Sequence, residues 1–128
     1  MSFSYRHEQH QTHRVGFYFL WTTLRARNVL KAEHRNQCRR IIESFCKDNE
    51  YEIVELKVND NSVQLCVQVW PDIAAESIVR QCKRKVSGAF RKKGILKNYP
   101  SIFTRSYFVD VDEPSESEID RFIAKQRR

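Results

Sequence analysis

Three kinds of side chain in this 128-residue chain could do chemistry: a histidine trio, four thiols, and charges massed by sign. His7, His10 and His13 stand three residues apart. That spacing aligns them only approximately on a helix, with no carboxylate or thiol fixed beside them, so they read as part of a flexible arm rather than a metal site. Cys38, Cys46, Cys66 and Cys82 contain no C-x-x-C pair and fall in segments patterned as helix or strand. They are expected to be buried thiols, neither disulfides nor ligands.

The charged residues are more informative. Lys and Arg number 23 against 16 Asp and Glu, a net charge of +7. Between Ser77 and Val109 there is no acid at all, yet Arg80, Lys83, Arg84, Lys85, Arg91, Lys92, Lys93, Lys97 and Arg105 all occur there. Such a segment faces a polyanion by composition. Just beyond it, Asp110, Asp112, Glu113, Glu116, Glu118 and Asp120 crowd together, either offsetting the bases or gathering round a different site.

Positioning these groups requires a folded domain, and the composition supplies one. With 41% hydrophobic and 12% aromatic residues the chain is too apolar for disorder, and its length suits one core. No apolar run approaches the roughly 20 residues that cross a bilayer, and Arg6, His7, Glu8 and Arg14 interrupt the start. A cytoplasmic protein is the simplest expectation.

The elements follow from periodicity. Residues 1–12 read as a flexible arm and residues 13–128 as a single domain. Val15 to Thr23 is a dense aromatic and β-branched run, expected to be a central strand covered on both faces. From about Ala32 to Lys47, Cys38, Ile41, Ile42, Phe45 and Cys46 recur at helical spacing. Tyr51 to Val58 reads as a second strand and pairs, across the turn Asn59-Asp60-Asn61, with Ser62 to Trp70. The latter's period of two puts Val63, Leu65, Val67 and Val69 on one face.

A long helix is expected from about Ile73 to Lys92, burying Ile78, Cys82, Val86, Ala89 and Phe90 and ended by Gly94. Ser101 to Val111 is expected to be the fourth strand. Ser115 and Glu118 form a capping-box pattern ahead of a last helix whose Ile119, Phe122, Ile123 and Gln126 share a face. Strand, helix, strand, strand, helix, strand, helix is an α+β order: the ferredoxin-like, split βαβ antiparallel sheet with an added C-terminal helix.

Four stretches in this order resemble the HUH single-tyrosine transposases of small bacterial and archaeal insertion sequences. They are Tyr18-Phe19-Leu20-Trp21-Thr22-Thr23, Glu52-Ile53-Val54-Glu55-Leu56, Thr104-Arg105-Ser106-Tyr107-Phe108-Val109, and Ser115-Glu116-x-Glu118-Ile119-x-Arg121-Phe122-Ile123-x-x-Gln126. The resemblance spans about His13 to Gln126. It implies DNA strand cleavage by a tyrosine, helped by Mg or Mn held on a His-hydrophobic-His strand pair. The metal offsets the weak nucleophilicity of a phenol whose pKa is near 10.

Here the sequence departs from the family. Ser62 and Gln64 occupy the positions matching the two histidines, and Phe122 the position matching the tyrosine. Gln126 matches a residue that completes metal coordination in some members. No catalytic or metal residue is therefore expected, and no cofactor. Tyr99 and Tyr107, with Asp60, Asp110, Asp112, Glu113 and Glu116, are the groups from which cleavage would have to be rebuilt. No glycine follows Gly94, so the linker Asp110-Val111-Asp112-Glu113-Pro114 is stiffer than the glycine-bearing linkers common in the family.

The resemblance thus implies a non-catalytic binder of DNA hairpins or single strands, acting as a homodimer, with RNA as a variant target. The expected contacts are Arg25, Arg27, Arg80, Lys83, Arg84, Lys85, Arg91, Lys92, Lys93 and Arg105. Two other readings stay open: a nickase that still cuts through other residues, and a regulatory protein that binds an active transposase.

Overall fold

A computed structural model describes residues 14–127. The expected arm over residues 1–12, with His7 and His10, and His13 beyond it, lie outside the described residues. Strand β1 (Val15–Thr22) leads through a 3-10 turn (Leu24–Ala26) to helix α1 (Ala32–Asp48). Strands β2 (Glu52–Val58) and β3 (Ser62–Val69) form a hairpin, followed by helix α2 (Ala75–Lys92). Strand β4 (Phe108–Asp110) and helix α3 (Glu116–Gln126) complete the order.

The sheet runs β2-β3-β1-β4, with each neighbouring pair antiparallel. This is the expected split βαβ arrangement, with β1 central. Phe19 and Trp21 of β1 and Val63, Leu65, Val67 and Val69 of β3 project to one face. There they meet Cys38, Ile42, Phe45 and Cys46 of α1 and Ile78, Cys82, Val86 and Phe90 of α2. Each large side chain buried this way stabilises the fold by about 1.5–3 kcal/mol. Val79, absent from the expected stripe, is buried as well, while Ala89 is only half-buried.

All four thiols are free and buried, as expected. Burial pushes Cys38 and Cys46 up to about 12 and raises Cys82 further still.

Three segments differ from the sequence expectation. The second strand is bulged: Ile53 pairs with Val67 and Glu55 with Cys66, so Val54 is squeezed out of register and left 58% exposed. The long helix starts at Ala75 rather than Ile73, capped by the backbone of Ala74 with no side-chain bond. The fourth strand is three residues long instead of spanning Ser101 to Val111; before it only an isolated bridge joins Thr23 to Phe103.

The shortening has a cause in Lys83. Its ammonium donates to the carbonyls of Thr104 (2.8 Å), Arg105 (3.2 Å) and Ser106 (3.0 Å). Successive residues of a β-strand alternate in direction, so three consecutive carbonyls cannot converge on one donor there. The chain must leave the sheet to make these bonds. The apolar residues that read as strand, Ile102 and Phe103, are buried against the core all the same.

Candidate nucleic-acid interface

The second face of the sheet carries the residues matched to the family's catalytic positions. In the β1–β3 register Thr22 lies opposite Ser62, Leu20 opposite Gln64 and Tyr18 opposite Cys66, and opposed residues share a face. Lys57 and Glu55 of β2 extend the Gln64 and Cys66 rows, and Phe108 and Asp110 of β4 close them.

Helix α3 lies over this face, packing on the 3-10 turn and on β1. Its N-terminus is fixed by the expected capping box: Ser115 Oγ accepts from Glu118 N–H, and Glu118 Oε1 accepts from Ser115 N–H. Phe122 sits half-buried, edge-on to Phe108 with ring centroids 6.4 Å apart. No residue of α3 is fully buried, so the helix rests on the sheet without being part of its core.

These positions offer a metal neither an imidazole nor a carboxylate. Ser62 is 1% exposed and its hydroxyl accepts from Asn59 Nδ2 at 3.1 Å. Gln126 donates through Nε2 to the carbonyl of Phe122 and accepts from the Thr104 hydroxyl. Neutral amides and a committed hydroxyl are weak ligands for a hard divalent cation, which takes carboxylates first. Among the described residues no three His, Cys, Asp or Glu side chains gather closely enough to hold one. The family's Mg or Mn therefore does not fit this donor set.

Among the described residues, Tyr18 is a phenol on the same face, one that sequence reasoning passed over as a strand aromatic. The strand alternation that places Gln64 and Cys66 on one face would have pointed to it through the register. Tyr18 is held above the ordinary phenol value, first by its hydrogen bond with Cys66 and the charge of that group, then by burial, and last by nearby negative charge from Glu113 and Glu55. That shift makes it a poorer source of phenolate at neutral pH. Tyr107, by contrast, lies away from this face, beside Lys83 at the mouth of a groove.

That groove is where the basic residues converge. On α2, at about 100° per residue, Arg80, Lys83, Arg84, Ser87 and Arg91 fall within an arc of roughly 100°. The loop ahead of β4 faces this arc and brings Ser101, Phe103, Thr104, Arg105 and Tyr107 against it. Between them is a cleft of about 350 Å³, with Glu76 as the single acid in its lining. Arg91 continues the groove into a second hollow beside Lys97 and Tyr99.

The expected contacts thus separate into groups. Arg80, Arg84 and Arg105 line the groove with their charges at the surface; Arg80 is 3.6 Å from Glu76, a loose exposed pair. Lys83 lines it too, but its charge is turned onto the three carbonyls, and burial pulls its pKa down to about 8. Lys85 lies on the other side of α2, facing Arg40 and Asp48 across the α1–α2 seam. Lys92 and Lys93 are exposed at the end of α2. Arg25 and Arg27 are exposed beside α3, Arg25 in a left-handed conformation at φ 56°.

A split βαβ sheet with a cationic cleft along its second helix defines a small α+β domain of the ferredoxin-like class. The sequence profile of the family described as "Transposase IS200 like" matches residues 11–126, and the chain belongs to that family.

Two solved structures share the fold. One is a crystal structure of a presumed transposase from Deinococcus radiodurans R1, at 21% identity and TM-score 0.76, covering 90% of this chain and 92% of that one. The other is a REP-associated tyrosine transposase bound to a REP hairpin, at 13% identity and TM-score 0.62, covering 90% of this chain and 66% of that one. No curated protein sequence matches the chain.

Proposed function

We propose that this chain is a DNA-binding member of the IS200-like transposase family that has given up strand cleavage. The observation that carries the reading is chemical. Phe122, at the position matched to the attacking tyrosine, has a ring and no oxygen, so it cannot form a phosphotyrosine bond. Ser62 and Gln64 offer no imidazole, and Tyr18, the phenol on the same face, is shifted away from ionisation.

What the chain retains is a surface suited to a polyanion. Three arginines on one groove give phosphate contacts, and the half-buried ring of Tyr107 beside them suits an unpaired base. The ligand in this reading is a DNA hairpin or single strand; the REP-associated structure is bound to a REP hairpin. RNA of the same shape is a variant of it. The binding unit is a homodimer. Supporting this, β2 and β4 are the outer strands of the sheet and each has one edge unpaired among the described residues, open to a second copy.

The test is a triple charge reversal, Arg80→Glu, Arg84→Glu and Arg105→Glu, followed by fluorescence anisotropy with a hairpin probe across a salt titration. Each phosphate contact removed should weaken binding and lower the salt slope by about one. Unchanged affinity and slope would remove the groove from the DNA-binding surface. An absence of nucleic-acid affinity in the wild type, even at low salt, would shift the function to a protein partner.

A further inference from the structure

We infer that the groove between α2 and the loop before β4 is a binding site for a single nucleoside 5′-monophosphate unit, with its base on the apolar floor and its phosphate on the arginine rim. This deepens the proposed DNA-binding reading and rests on it only for the source of the ligand.

The cleft measures about 350 Å³, at the small end of the roughly 300–1,000 Å³ range of small-molecule sites. Its lining is amphipathic in an ordered way. Val79 and Phe103, 1% and 5% exposed, form an apolar base, and Tyr107 supplies a half-buried aromatic wall. Arg84 and Arg105 stand at the rim with no ion pair among the described residues, and Arg80 has only its loose exposed partner Glu76.

A bare phosphate would use the rim and leave the floor wet. A nucleoside would use the floor and leave the guanidiniums unpaired. A base joined to one phosphate meets both, through stacking on one side and charge-assisted forked hydrogen bonds on the other. The cleft is also pre-formed. Lys83 fixes its far wall by holding the Thr104, Arg105 and Ser106 carbonyls, which lowers the ordering cost of binding.

The ligand chemistry has two sources, a free nucleotide or one nucleotide within an unpaired strand. Isothermal titration of the full chain with dAMP, deoxyadenosine, inorganic phosphate and a dA pentanucleotide separates them. dAMP should bind at least about tenfold more tightly than either deoxyadenosine or phosphate, since stacking and charge both contribute.

Tyr107→Ala should weaken dAMP by about tenfold and leave phosphate unchanged, and Arg84→Glu with Arg105→Glu should abolish dAMP binding with the thermal transition retained. If the pentanucleotide binds more tightly than dAMP and loses as much on Tyr107→Ala, the source is a strand. If it binds no better than dAMP, the source is the free nucleotide.

Equal affinity for dAMP and phosphate, or indifference of dAMP to Tyr107→Ala, would overturn the site. Failure of hairpin binding with dAMP binding intact would refute the proposed function alone. Hairpin binding without dAMP binding would refute this inference alone.

Discussion

Replacing Lys83 by Met removes the ammonium that shapes both the shortened fourth strand and the groove, while keeping most of the aliphatic stem. Three hydrogen bonds are lost, but they are not equal. Those to Arg105 and Ser106 lie in exposed surroundings, where water can take the place of the donor. The bond to Thr104 is partly buried, and its carbonyl is left poorly satisfied.

One charge-assisted bond of this kind contributes about 1.5–3 kcal/mol, so a loss of about 2 kcal/mol is expected. At roughly 2.1 cal/mol/K of unfolding entropy per residue, this lowers Tm by roughly 8 °C. Calorimetry or circular dichroism at pH 7 reads the change, and amide exchange should show faster exchange confined to residues 101–107.

The pH dependence adds a sign. Burial lowers the pKa of Lys83 from 10.5 to about 8, so between those values the unfolded chain holds a proton that the folded chain has released. Stability contributed by Lys83 therefore rises with pH across that window, and Lys83→Met lacks the rise. A Tm at pH 7 within about 2 °C of wild type would refute the role assigned to the Lys83 ammonium; parallel stability profiles for the two proteins from pH 8 to 10.5 would refute only its lowered pKa.

Other consequences are independent of this one. Phe122→Tyr restores the phenol but not the metal ligands, so a hairpin probe with Mn should stay intact on a denaturing gel; cleavage by this single variant would mean that other residues hold the metal. Cys38, Cys46 and Cys82 should resist a thiol reagent at pH 8 until the chain unfolds, because burial raises all three well above that pH. Rapid reaction of more than one thiol in the native protein would contradict the packing of α1 on α2. Ser115→Ala removes the cap of α3 and should cost about 1 kcal/mol, seen as faster amide exchange in the first turn of that helix.

Most of the fold was legible because its signals are local and redundant. The period of two in β3 and the helical spacing of Cys38, Ile42 and Phe45 are each set by one dominant face, and the capping box at Ser115 is written in two residues. The β2 bulge was less legible, since Ile53 and Leu56 are out of phase and only the register shows Val54 to be the displaced residue. The fourth strand was illegible for a different reason. The residues from Ser101 to Tyr107 have strand-like composition, and what bends them away is a lysine on another element, far off in sequence.

The same contact divided the basic segment. Composition marked every Lys and Arg from Arg80 to Arg105 alike, but geometry sends Lys83 inward, Lys85 to the α1 side and Arg80, Arg84 and Arg105 to one groove. Tyr18 escaped notice because its significance lies in a register partner, Cys66, rather than in any motif.

Binding and the absence of cutting can be tested together in one sample. The wild-type chain is mixed with matched hairpin, single-stranded and duplex DNA in the presence of Mn, anisotropy is read across a salt series, and the same mixtures are run on a denaturing gel. Preference for the hairpin or single strand with a steep salt dependence and every probe intact is the predicted result. A shortened probe or a protein–DNA adduct that survives denaturation would contradict it.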